Sequence, residues 1–152
     1  MRKAVVLLAA IFIATGCLGD EIYSSIDANT VMALMRQEGY DVQLNPESDI
    51  IWTRDEIKSL VIFSDGKTQN QNLYFRCGYT IPADKYARAL ELSNKYNLTY
   101  RFGKSYVENN AVVFQLTLSL DGGITRSRII SFFSNCKQFF AYWEKTVVAP
   151  LY

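Results

Sequence analysis

The 152-residue sequence contains no histidine. That absence excludes Ser-His-Asp and Cys-His nucleophilic sites, His-ligated metal centres and a histidine switch near neutral pH. Concentrated positive charge is missing too: no run of Lys or Arg exceeds a pair, and the formal net charge is only +1. A nucleic acid demands a clustered basic face to meet its phosphates, so no nucleic-acid partner is expected. The sequence shows no internal repeat, no low-complexity segment and no stretch that reads as a linker between domains. A chain of this length is one domain's worth, and 49% hydrophobic residues with 14% aromatics suffice for a real core.

One apparent nucleotide signature dissolves on inspection. Gly103-Lys104-Ser105 ends like a phosphate-binding loop, but such a loop needs an earlier glycine where this chain has Leu98, and it must lead into a helix. Tyr100, Phe102 and Tyr106 have even spacings instead, which predict a strand whose glycine lets another backbone or a large side chain approach. Lys104 is then a solvated strand residue. Carboxylates are scattered; Asp55 and Glu56 are adjacent but would face opposite ways on a strand. Arg76 and Arg101, each flanked by aromatics, fit the solvated face of a sheet better than a ligand site. No catalytic set, cofactor or metal is expected.

The N-terminus reads as an address. Arg2 and Lys3 precede an apolar run from Ala4 to Ala14, too short to span a bilayer as a helix but suited to the core of a secretory signal peptide over residues 1–19. Ala14-Thr15-Gly16-Cys17 is similar to a bacterial lipobox, which would make Cys17 a lipidated mature N-terminus. Cleavage after the small pair Ala14 and Gly16, or after Gly19, is the other reading. The expected location is the cell envelope of a bacterium, periplasmic or lipid-anchored, with contact to the membrane only through that anchor. Losing Arg2 and Lys3 takes the 16 basic residues to 14 against 15 acidic ones, a charge that still points to no partner.

The remaining chain predicts a short linker (20–26), a domain (27–146) and a C-terminal tail (147–152). Asp27 can cap a first helix that presents Val31, Leu34, Met35 and Glu38 on one face and stops at Gly39. Strands are expected in YDVQLN and DIIWTR about Asn45-Pro46, in EIKSLVIFS, and, after a turn at Asp65-Gly66, in NLYFRCGY. Pro82 opens a second helix with Tyr86, Leu90 and Asn94 on its inner face. TYRFGKSYVE and AVVFQLTLSL follow as strands joined at Asn109-Asn110, and Thr125 caps a third helix running to about Lys145. On that helix Phe139, Phe132, Trp143, Cys136, Ile129, Phe140, Phe133 and Ile130 fill an arc of roughly 180°, wider than the core stripe of about 100°. One bank is therefore free to meet a partner, and Phe132, Phe133, Phe139, Phe140 and Trp143 form the candidate binding surface. The order α-β-β-β-β-α-β-β-α argues for an α+β domain in which three helices pack on an antiparallel sheet of five to six strands. Cys77 and Cys136 should both point into the sheet-helix layer. A disulfide between them and a pair of buried free thiols are both open readings.

The segments ALMRQEGYDVQL, NLYFRCGY, NKYNLTYRFGKSYV and, most specifically, VVFQLTLSLDGGIT resemble the YbjN domain family of bacterial proteins over about residues 27 to 146. The resemblance implies a fold like that of the type III secretion chaperones, which generally dimerise, and a role as a sensory transduction regulator with no defined catalytic residues. Members commonly follow an export signal. The chain departs from the family pattern in its cysteine positions and in carrying Leu92-Ser93 where a tryptophan is usual. The expectation is a non-enzymatic, chaperone-like module that binds a protein or peptide, with a homodimer as one form. The alternative is a small-ligand or lipid-binding protein whose pocket lies between the sheet and the third helix.

Overall fold

The computed structural model describes residues 20–46, 49–54, 57–63 and 72–152, with backbone alone at 54 and 57–63. The predicted signal segment with Cys17, the Asp55-Glu56 pair and the Asp65-Gly66 turn lie outside these residues.

The fold is α+β. Six strands form one sheet: β2 (Val42–Leu44), β3 (Ile50–Arg54), β4 (Ile57–Phe63), β5 (Asn72–Thr80), β6 (Lys104–Glu108) and β7 (Ala111–Ser119). Their order is β2-β3-β4-β5-β7-β6, and every neighbouring pair is antiparallel. The helices are α1 (Ala28–Gln37), α2 (Tyr86–Thr99) and α3 (Arg126–Trp143). Two strands escape the sequence pattern because they are two residues long: β1 (Ile22–Tyr23) pairs with β8 (Ile124–Thr125) in a separate ribbon. Among the described residues no helix is long and apolar enough to cross a membrane.

Local chemistry explains most boundaries. Asp27 accepts the Thr30 N–H at 2.8 Å and starts α1, and Gly39 ends it at φ +81°. Thr125 accepts the Arg128 N–H and starts α3. Asn109 and Asn110 both adopt positive φ, as a tight hairpin twisted like its strands requires, and join β6 to β7.

Alternation places Leu73, Phe75, Cys77 and Tyr79 of β5 opposite Leu118, Leu116, Phe114 and Val112 of β7 on the inner face. Phe75, Phe114, Phe133, Trp143, Met35 and Ile50 are fully buried there. Burying such side chains contributes about 1.5–3 kcal/mol each, which makes this layer the main source of stability. The outer face carries Tyr74, Arg76, Tyr106 and Gln115. Arg76 is ion-paired with Glu108 and lies 6.0 Å from the Tyr106 ring centre, as expected of a solvated strand arginine.

Four expectations need correction. Residues 20–26 are not a linker: β1 is paired, Ile26 is buried, and the Asp20 carboxylate accepts the Ser127 N–H at the start of α3. The bonds from Ser127 hold the Asp20 carboxyl below its ordinary pKa. Residues 147–152 are not a tail. A π-helical turn (Glu144–Val148) and a 3-10 turn (Ala149–Leu151) extend α3 and bury Val147, Val148 and Leu151. Helix α2 turns another face inward, burying Ala89, Leu92, Ser93 and Tyr96 while Tyr86, Leu90 and Asn94 are exposed. Its weak amphipathicity left the face undetermined, because Ser93 is buried only through partners that the sequence does not show.

The fourth concerns TYRFGKSYVE, which is a strand only from Lys104 onward; residues 100–103 form a loop. Gly103 turns that loop at φ +79°, and a Cβ there would lie 2.4 Å from the Phe114 ring. The close approach expected of this glycine is therefore real. Gly103→Ala should cost about 3 kcal/mol, combining left-handed strain with overpacking against a buried ring. Gly39→Ala has similar strain, at φ +81°, but nothing within 4 Å, and should cost about 1–2 kcal/mol. Urea melts of the two variants check the difference, and equal losses would show that the Phe114 contact is immaterial.

Candidate functional site

The most structured polar feature lies where α2, β6 and α3 meet. Ser105 and Ser93 are each 2% exposed. The Trp143 indole N–H donates to the Ser105 hydroxyl at 2.8 Å, and that hydroxyl donates to Ser93 Oγ at 2.9 Å. Asn97, one turn beyond Ser93, completes the junction by accepting the Ser105 N–H at 2.9 Å and donating to its C=O at 2.8 Å. An edge strand ordinarily exposes such groups, so the Asn97 amide occupies the position that an added strand would take. At the opposite edge the Arg36 guanidinium donates to the Val42 carbonyl at 3.0 Å. Each edge of the sheet is clamped by a side chain from a helix.

Above this junction the 100–103 loop and the outer side of α3 bring together five aromatic rings. Phe102 stacks on Phe139 at 5.4 Å, Tyr100 meets Tyr142 edge-on at 4.9 Å, and Tyr96 lies 4.8 Å from Tyr100. The Tyr100 and Tyr142 hydroxyls are 2.6 Å apart, and the Tyr96 hydroxyl donates to the Phe102 carbonyl. Burial, with neighbouring Tyr100 and Tyr142 adding to it, pushes the Tyr96 hydroxyl up to about 12, so it remains a neutral donor at any physiological pH. These rings and Arg101 line a hollow of about 210 Å³. Two further hollows adjoin it through Tyr100: one of about 410 Å³ between α2 and the C-terminal turns, and one of about 580 Å³ along β6. Phe102 is 62% exposed, Tyr142 43% and Leu98 89%. Phe102 and Tyr142 thus leave apolar surface open beside the aromatic hollow, and Leu98 does so beside the one along β6.

The candidate residues on α3 are thus divided. Phe132, Phe133, Phe140 and Trp143 are not a binding surface but core: Phe133 meets Tyr40, Phe140 meets Phe75 and Tyr79, and Trp143 stacks on Phe114. The wide arc is filled because α3 packs on both the sheet and α1, and the rings themselves occupy the space where a ligand pocket was expected. Only Phe139 lies at the hollow. Its companions Tyr96, Tyr100, Phe102 and Tyr142 went unnamed because they come from a helix, a loop and the end of α3. Phe102 beside Gly103, an aromatic next to a residue suited to a turn, is the signal that the sequence offers.

Cys77 and Cys136 do reach the same buried layer, but both are free thiols. The Cys77 thiol contacts the Phe114 carbonyl of β7, 4.0 Å away. Burial pushes both thiols above their ordinary values. Among the described residues no three His, Cys, Asp or Glu side chains cluster as metal ligands.

A family model described as "Putative bacterial sensory transduction regulator", YbjN, matches residues 27–142. The chain belongs to the YbjN family. Its fold is similar to the crystal structure of YbjN, "a putative transcription regulator from E. coli", with a TM-score of 0.63 and 10% sequence identity, over 74% of this chain and 84% of that one. At that identity the likeness speaks for the fold alone. No curated protein matches the sequence. The family match ends at Tyr142, so the buried residues Trp143, Val147 and Leu151 complete this member's core beyond it.

Ser105→Ala should lower stability by about 2 kcal/mol, since it leaves the buried Trp143 N–H without its acceptor. Chemical denaturation followed by tryptophan fluorescence checks this, and a loss below about 0.5 kcal/mol would mean that the indole finds another partner.

Proposed function

We propose that this YbjN-family chain is a non-enzymatic regulatory module of the bacterial cell envelope that binds a protein or peptide in the aromatic hollow between α2, the 100–103 loop and α3. The observation that carries the proposal is the Phe102-Phe139 stack, its Phe102 exposed, flanked by Tyr142 and Tyr100 around a concavity. Exposed aromatics held by mutual contact lose little freedom on binding, which suits them as anchors. Strand addition is the other common way for a sheet protein to take up a peptide. The clamps at Asn97 and Arg36 disfavour that route and direct a partner to the hollow. Export rests on the signal-like segment 1–19, and Cys17 is the proposed site of a lipid anchor.

Selection from a random peptide display library should yield binders whose affinity falls about tenfold or more with Phe102→Ala, while the unfolding midpoint holds. Binders indifferent to Phe102→Ala, or no binders at all, would overturn the placement. For the location, Cys17→Ala should shift the chain from the membrane to the soluble envelope fraction of a bacterial host. An unchanged distribution would rule out the lipid anchor.

A further inference from the structure

The three hollows that share Tyr100 are lined by Arg88, Lys95, Arg101, Lys104 and Lys145, with no Asp or Glu among the described residues forming their walls. Arg88 is bound to Glu91 and so partly neutralised. In a sequence with 16 basic and 15 acidic residues such one-sided lining is a local segregation. The cations come from α2, the following loop, the start of β6 and the turn after α3. They converge only in the folded chain, where they border the apolar floor of Tyr96, Tyr100, Phe102 and Phe139.

We infer that the occupant of this groove is an acidic peptide segment, its Asp and Glu side chains meeting Lys95, Arg101, Lys104 and Lys145 while an aromatic or large aliphatic side chain seats against the Phe102-Phe139 stack. The inference rests on the peptide-binding reading and adds the chemistry of the partner. Two physical arguments support it. Cations gathered around low-dielectric walls attract carboxylates at a distance and orient them. The hollows lie side by side, as suits successive side chains of an extended segment, whereas a flat bilayer surface would reach only their rims.

The test uses the full chain as bait for a random peptide library, followed by binding assays on synthetic copies of the enriched peptides. The expected result is enrichment of Asp and Glu around an aromatic residue. Replacing the acids by Asn and Gln should then weaken binding about tenfold, as should the double variant Arg101→Glu/Lys145→Glu, and raised salt should weaken it as well. Both substitutions fall on exposed side chains, and an unchanged unfolding midpoint verifies that the variant is folded. Enriched peptides that are neutral or basic yet still depend on Phe102 would overturn the acidic assignment and leave the groove standing. No enrichment from a folded bait would overturn the groove itself. Binding to phosphatidylglycerol vesicles with no peptide enriched would replace the peptide by a membrane surface.

Discussion

The hydroxyl of Ser105 receives the Trp143 indole N–H and passes its own hydrogen to Ser93, so one buried oxygen ties β6, α3 and α2 together. In a low-dielectric interior such bonds are strong, and an unmet donor is correspondingly costly. The three elements therefore have one mutual placement in which all these groups are satisfied. Asn97 fixes the same strand from its open side. The aromatic hollow inherits its shape from this junction, because the 100–103 loop that supplies Tyr100 and Phe102 is held between Asn97 and Ser105.

Gly103 and Phe114 show how local backbone chemistry feeds the same arrangement. The left-handed turn at Gly103 ends the loop and allows the Phe114 ring to lie against the backbone. That ring in turn stacks on Trp143, whose N–H is committed to Ser105. The contact that makes Gly103 irreplaceable thus belongs to the cluster that orients α3 and presents Phe139 outward to Phe102.

Strand alternation makes the sheet legible in the sequence: AVVFQLTLSL and NLYFRCGY are β7 and β5 with the inward residues expected of them. The capping residues Asp27 and Thr125 were equally legible, since each satisfies an N–H by a purely local bond. The two-residue strands β1 and β8 carry no period to detect. The inner face of α2 was misread because Ser93 is buried by virtue of Ser105 and Trp143, which are distant in sequence. The aromatic hollow was hidden for the same reason: of its rings only Phe139 stood in a conspicuous pattern, and the cations around it are dispersed from position 88 to position 145. Composition, which averages charge over the chain, is blind to such convergence.

The turns that follow α3 bury Val147, Val148 and Leu151, within a few residues of the end of this sequence, against the rest of the core. Synthesis delivers these turns after the sheet and the three helices, and until they are in place the apolar layer beneath them has no cover. The fold can then close only once nearly the whole domain has emerged. Until then the nascent chain keeps that apolar surface open, the state in which unfinished chains are prone to associate.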